Sequence, residues 1–440
     1  MRVYFDSVGC RLNQSEMDSL ARRLAAAGGL VAGGPAQAEV VVLNTCAVTR
    51  EAERDSRSAA RRLHALSPRA QLVLTGCWAT LAAGEAGALP GVCQVVTNEG
   101  KDSLLRLLAP DLRRAQRAPD TCPEGCQTVA SSLRRRTRAF LKVQDGCDSH
   151  CTFCVTRLAR GASRSRPLPD IVAEARALRA GGVKEIVLTG VQLGAYGRDG
   201  GLGSSLAHLL RALLDETDVP RLRLSSLEPW DLPASFFDMW GDPRLCPQLH
   251  LPLQSGAAGT LRRMARRTTP QAYAALVDAA RSAIPDLALT TDVIVGFPGE
   301  SDSEFEESLR FVERTQFAGV HAFRFSPRAG TPAARLGDRL PAHIVRERMG
   351  ALRGVAEASA DAFRRMLIGR TLPVLWERAP RASPAGPVWH GLTHNFQHVH
   401  CAARPGLANR ILPTRLAALE GEIFVGHPAG PEGLSPVSQD

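Results

Sequence analysis

Lysine is nearly missing from this 440-residue chain: three of its 54 basic residues are lysine (Lys101, Lys142, Lys184) and the rest are arginine. An arginine excess of this size follows from biased composition as readily as from a nucleic-acid surface. The net charge of +10 and pI near 9.4 therefore permit a nucleic-acid partner without establishing one. Long apolar runs are absent too. No stretch of about 18 apolar residues occurs, which excludes a membrane-spanning helix. The opening MRVYFDSVGC carries Asp6 inside its apolar stretch, so it does not read as a signal peptide, and the chain is expected in the cytoplasm. Hydrophobic residues at 44% and charged residues at 22% exclude disorder and collagen-like structure. What is plentiful is cysteine, with eleven in all. In a cytoplasmic chain that points to metal binding or catalysis rather than to disulfides, and an odd count cannot be fully paired.

At roughly 100–200 residues per domain, two to four domains are expected. The first segment alternates strand and helix: MRVYFDSVGC as a strand ending in a loop, a helix over 13–27, EVVVLN (39–44) and QLVLT (71–75) as buried strands. Such alternation predicts a parallel sheet flanked by helices. Proline and charge rise over 110–123, where the segment ends. From Thr137 six strands are predicted: AFLKV (139–143), EIVLTG (185–190), RLRLSS (221–226), QLHLPL (248–253), LALTTDVIVGF (287–297) and VHAFRFSP (320–327). Six units over about 190 residues suggest an open (β/α)6 barrel rather than the closed eight-unit form. A long amphipathic helix over 346–366 closes it. Short β-type runs between 371 and 427 (LPVLWE, QHVHCAA, GEIFVGH) predict a small β-barrel, followed by a flexible tail. The fold class is thus α/β, with units at 1–118, 133–368 and 371–428.

The strongest chemical signal is Cys147-Asp148-Ser149-His150-Cys151-Thr152-Phe153-Cys154. Three thiolates at C-x3-C-x2-C can wrap one iron–sulfur cluster from a single loop. Three ligands for four irons leave one iron open, the logic of a catalytic rather than a closed metal site. The competing reading is a zinc site with His150 as fourth ligand. Cys10, Cys46 and Cys77 each follow a predicted strand, in SVGC, NTCAV and TGCWA. In a parallel α/β unit, ligand sites gather outside the carboxyl ends of strands, so these three can converge on a second metal. The bland reading is three buried structural cysteines. Cys93, Cys246 and Cys401 are expected to be structural, and Cys122 and Cys126 spare thiols.

C-x3-C-x2-C at the end of the first strand of an incomplete barrel resembles the radical S-adenosylmethionine (SAM) superfamily. With the amino-terminal triad, and with LPLQSG (251–256), DVIVGFPGE (292–300) and FRFSPRAGTPAARL (323–336), the chain is similar over nearly its whole length to the radical SAM methylthiotransferases. The resemblance implies two [4Fe-4S] clusters, on Cys147, Cys151 and Cys154 and on Cys10, Cys46 and Cys77. It implies S-adenosyl-L-methionine chelated by the open iron and cleaved to a deoxyadenosyl radical, and an electron donor protein of flavodoxin or ferredoxin type. It implies a carboxyl-terminal TRAM domain and a tRNA substrate. Gly190, Gln192, Glu228 and Gln254 are the candidate SAM-binding residues. Arg134, Arg135, Arg136 and Arg138 are candidates for RNA backbone contact, and Trp376, Trp389, Phe396 and Phe424 for base stacking, against a core role.

SSLEP within RLRLSSLEPWDLP (221–233) and the loop VGCRLNQSE resemble the branch acting on threonylcarbamoyladenosine beside the anticodon. Isopentenyl-adenosine tRNA or a ribosomal-protein aspartate are the alternative substrates, and a non-catalytic iron–sulfur RNA-binding scaffold is the alternative class. A threonylcarbamoyl group is anionic, so its pocket needs a cationic or hydrogen-bonding partner, for which Arg221 and Arg223 are the sequence candidates.

Overall fold

The computed structural model describes residues 1–108, 137–199, 204–382, 386–402 and 405–429. Cys122, Cys126, Arg134, Arg135, Arg136 and the tail from 430 lie outside the described residues.

The first unit is a parallel sheet ordered β2-β1-β3-β4-β5. Its strands are β1 (Arg2–Ser7), β2 (Leu30–Val31), β3 (Val40–Thr45), β4 (Gln71–Gly76) and β5 (Val92–Val96). The central β3, VVVLNT, is buried at every position, as a strand covered on both faces requires. Helix α1 (Arg11–Ala26) follows β1, and α2 (Arg50–Leu66) follows β3. Thr49 caps α2 by accepting from the Ala52 amide at 3.1 Å, with Glu51 and Glu53 in the first turn. A short helix, α3 (Cys77–Leu81), starts directly at the end of β4.

The second unit contains all six expected strands: β6 (Arg138–Lys142), β9 (Glu185–Thr189), β10 (Arg221–Leu224), β11 (Gln248–His250), β12 (Ala288–Val295) and β13 (Gly319–Arg324). A two-residue ribbon, β7 (Gln144–Asp145) with β8 (Arg164–Ser165), flanks them. The six are parallel, in two three-stranded sheets, β6-β9-β10 and β11-β12-β13, which isolated bridges such as Ser226 to His250 join. Among the described residues no pairing links β13 back to β6, so the barrel is open on that side. Leu222, Leu224, Ile186, Leu188, Leu249 and Leu251 face outward into the main hydrophobic core, beneath the surrounding helices. Strand alternation therefore turns Glu185, Arg221, Arg223, His250 and Asp292 toward the barrel interior.

The third unit is a closed five-stranded barrel of β14 (Thr371–Trp376), β15 (Val388–Thr393), β16 (His398–Ala402), β18 (Ile423–Pro428) and β17 (Ile411–Glu420). Its core contains Trp376 and Phe424, both fully buried, and Trp389. Three of the four aromatic candidates for base stacking are therefore core.

Arg223 ties this barrel to the second unit. It donates two parallel bonds to the Glu185 carboxylate, at 2.9 and 3.1 Å, with both side chains wholly buried. Arg221 lies 3.6 Å from the same carboxylate and donates to the backbone carbonyls of Leu392 and Pro373. Arg221 and Arg223 are thus engaged in holding the third unit, which corrects their reading as substrate partners. Burial is the largest single influence on the Glu185 carboxyl and raises it, but the arginines together outweigh it and draw the carboxyl down to about 2. Its stabilising effect is complete above the ordinary carboxyl pKa near 4.5 and is lost as pH falls toward 2. Replacing Glu185 by Gln leaves two buried guanidiniums without a counter-charge. It should cost about 3–5 kcal/mol in denaturant unfolding at pH 7, and the deficit should shrink on acidification toward pH 2.

Candidate functional site

The loop after β6 presents Cys147, Cys151 and Cys154, all partly exposed. Backbone amides of Ser149 and Thr156 point at the sulfurs of Cys147 and Cys154, at 3.4 and 3.5 Å, and Arg266 donates toward Cys151 at 3.8 Å. Such donors favour thiolate over thiol. Burial pushes the Cys151 thiol up to about 11, partly offset by Arg266, and raises Cys147 as well. A cation bound between the three sulfurs reverses that penalty.

Cys10, Cys46 and Cys77 do converge, as the strand-end pattern predicts. Two glycines make the approach possible. A Cβ on Gly9 (φ 94°) would lie 2.7 Å from the Cys46 sulfur. One on Gly76 (φ 98°) would lie 2.3 Å from both the Asn44 side chain and the Thr45 carbonyl. Burial, joined by the charges of Cys10 and Cys77, pushes the Cys46 thiol up to about 11. All six cysteines are free thiols.

Three thiolates on one tetrahedral zinc sit about 3.8 Å apart. Among the described residues, the one threesome of metal-ligating type within 4.8 Å is His250, Asp292 and His321, and neither cysteine triad is so close. Both triads therefore suit a multi-iron cluster, in which each sulfur serves its own iron, better than a single zinc. His150 faces Arg157 rather than completing a zinc site.

The candidate SAM residues divide. Gln192 is buried, and its side chain bridges three groups. Its carbonyl oxygen accepts from the Cys147 thiol at 3.1 Å and from Ser149, while its amide donates to Asp231 at 2.9 Å. Its backbone amide donates to the Gln144 side chain at 2.9 Å. A Cβ on Gly190 would lie 2.9 Å from that same Gln144 oxygen, so packing against Gln144 favours glycine there. Glu228 pairs with Arg266 at 2.8 Å, and burial raises its carboxyl despite that partner, with Asp231 and Asp292 adding to the rise. Arg266 also stacks on Trp230, 4.4 Å from the ring centre. Gln254, beyond the end of β11 and bridged to Val293 of β12, has a left-handed conformation (φ 70°) and is buried.

A buried polar hub, missed in the sequence, joins the two triads. Glu16 on α1 accepts from Lys101 (2.6 Å), Lys142 (2.9 Å), Arg160 (3.0 Å) and Asn44 (2.9 Å). Arg160 also binds Asp145 and Asn13, at 2.9 and 2.7 Å. Asn13 receives the Cys10 thiol at 3.7 Å. Asn98 donates to the Ala159 carbonyl and toward the Cys77 sulfur. Arg160 ends the short helix Thr156–Arg160, which begins two residues after Cys154 and packs on α3. Two of the three lysines of the chain belong to this hub. Cys246 and Cys401 are buried, as expected of structural cysteines, whereas Cys93 is exposed on β5.

Residues 141–312 match the Radical SAM superfamily, and residues 2–97 match a family described as "Uncharacterized protein family UPF0004". The chain is 38% identical over 377 residues to the threonylcarbamoyladenosine tRNA methylthiotransferase MtaB of Thermotoga maritima, covering 85% of this chain and 86% of that one. It is 37% identical over 413 residues to a tRNA-2-methylthio-N(6)-dimethylallyladenosine synthase of Novosphingobium aromaticivorans, covering 92% of each. A solved relative in fold is the radical SAM methyltransferase TsrM of Kitasatospora setae with cobalamin and a [4Fe-4S] cluster bound. It has a TM-score of 0.55 at 14% identity and covers 76% of both chains. The chain belongs to the radical SAM methylthiotransferase family, and is by that membership a transferase. That membership implies a [4Fe-4S] cluster and SAM, which the loop 147–154 and its amide donors suit.

Anaerobic reconstitution should load about eight irons per chain on the two triads. Changing Cys10, Cys46 and Cys77 together to Ala should halve the iron while SAM cleavage by the reduced protein persists. Changing Cys147, Cys151 and Cys154 should halve it and abolish cleavage. Iron analysis and deoxyadenosine release read the two outcomes.

Proposed function

We propose that this protein adds a methylthio group to threonylcarbamoyladenosine next to the anticodon of tRNA. Cys147, Cys151 and Cys154 would hold the [4Fe-4S] cluster that binds SAM, and Cys10, Cys46 and Cys77 a second cluster that handles sulfur. The observation that carries the reading is the second triad, placed beside the SAM loop by the Glu16 hub. A radical enzyme that only methylates or rearranges its substrate has no need of it. When bound, the cluster and SAM would supply hydrogen abstraction from the base and a methyl group. The chain's own residues fix the geometry: Gln192 holds Cys147, and Arg266, paired with Glu228, donates toward Cys151. An electron donor protein of flavodoxin or ferredoxin type would supply the reducing electrons.

Residues 1–118 would form the sulfur-handling unit, 133–368 the SAM unit and 371–428 the TRAM unit. SSLEP (225–229) and the name of the Thermotoga relative both favour the threonylcarbamoyl substrate. The second reading, isopentenyl-type adenosine, is supported by the Novosphingobium relative at nearly equal identity. The test is nucleoside mass spectrometry after reaction of the reconstituted enzyme with each tRNA. The expected result is a methylthio product on threonylcarbamoyladenosine alone. Product on the isopentenyl tRNA with none on this one overturns the assignment.

A further inference from the structure

Arg11 is the first residue of α1, directly after Cys10. Its guanidinium carbon lies 5.3 Å from the centre of the Phe396 ring, and that of Arg223 lies 5.0 Å from the same ring. Phe396 belongs to the turn between β15 and β16 and has a left-handed backbone (φ 67°), which turns its ring into this junction. Arg11, Arg138, Arg221 and Arg223 here share one carboxylate, Glu185. Glu185 is held bidentately by Arg223, and Arg221 also reaches it. Arg11 forms no ion pair among the described residues. The side chain keeps an exposed surface.

Arg223, which shares the Phe396 ring with this surplus cation, is turned by strand alternation to the barrel interior, as are His250 and Asp292. Arg266 donates toward Cys151 and pairs with Glu228, and Glu228 is an electrostatic neighbour of Asp292. Asp292 lies 3.3 Å from His250 and within 4.8 Å of His321. His321 is exposed and feels the charge of Arg11. A line of polar side chains thus runs from the SAM loop to Arg11.

Given the substrate proposed above, we infer that Arg11, stacked on Phe396, is the subsite for the carboxylate of the threonylcarbamoyl group and sets the choice between acidic and apolar N6 substituents. The planar guanidinium fork matches a carboxylate, and ring stacking holds it in place for that contact. An apolar substituent offers this cation nothing. An RNA backbone phosphate has the same anionic chemistry, so the test must separate the two sources.

The test uses the holoenzyme with both clusters and three anticodon stem-loop RNAs. They carry threonylcarbamoyladenosine, its methyl ester, and isopentenyl-adenosine. The wild type should prefer the acid over the ester in kcat/KM by roughly 10- to 100-fold. Arg11→Gln should bring that ratio toward one, and Arg11→Lys should restore part of it. Iron content of each variant checks that Cys10 still holds its cluster. An acid-to-ester ratio near one in the wild type overturns the subsite without any variant. Equal losses on acid and ester in Arg11→Gln overturn it too, by making Arg11 a phosphate contact. A wild type active on isopentenyl RNA and silent on the acid overturns the functional reading itself, a separate failure from either of these.

Discussion

The Glu16 carboxylate is the constraint on which the arrangement of the site depends. It lies buried between the parallel-sheet unit and the open barrel, taking Lys101 from the first, and Lys142 and Arg160 from the second. With Asp145 the hub holds two carboxylates against three cations, and Asn13 and Asn44 satisfy further donors and acceptors. Such a network carries a large desolvation cost and is weak evidence for stability. Its value here is positional. Through Asn13 it touches Cys10, through Arg160 it reaches Cys77 electrostatically, and the helix bearing Arg160 follows Cys154. Two cysteine triads far apart in sequence are thereby set on either side of one short helix.

The third unit acts as a floor rather than as an arm. Its β15–β16 turn plugs the junction where Arg221 and Arg223 emerge, and backbone carbonyls of Leu392, Thr393 and Pro373 receive their protons. Trp376, Trp389 and Phe424 are core. Phe396 meets two arginines, so it is not free to stack on RNA bases. A contribution of this unit to RNA binding must then come through backbone, arginine and histidine contacts on its outer face, with the salt dependence such contacts bring.

Much of this was legible in the sequence. All six barrel strands were marked by β-branched or leucine-rich runs, and the three cysteines of the first unit by their strand-end context. The third unit was less legible. β17 reads ILPTRLAALE, with Pro413 inside it and helix formers after it. Pro413 is tolerated because it sits opposite Pro373 on β14. β15 carries Gly391, whose missing Cβ makes room for Val374 and Trp376. At the site, Arg221 and Arg223 were visible as nearby cations that strand alternation could point away, and their capture by Glu185 depends on the pairing of β10 with β9, which no local pattern reveals. Arg11 was hidden for the converse reason. It looks like one more arginine in an arginine-rich chain until the fold sets it against Phe396 with no carboxylate of its own. The hub had a faint signal: two of only three lysines.

The claim that Glu16 holds the two cysteine triads as neighbours is tested most directly by the magnetic interaction between two reduced clusters in the reconstituted protein, read by electron paramagnetic resonance. The account predicts coupled spectra for the wild type, and weakened coupling at full iron content in Glu16→Gln, which keeps the side-chain shape and removes the charge. Uncoupled clusters in the wild type, or coupling in Glu16→Gln identical to it, would contradict the account.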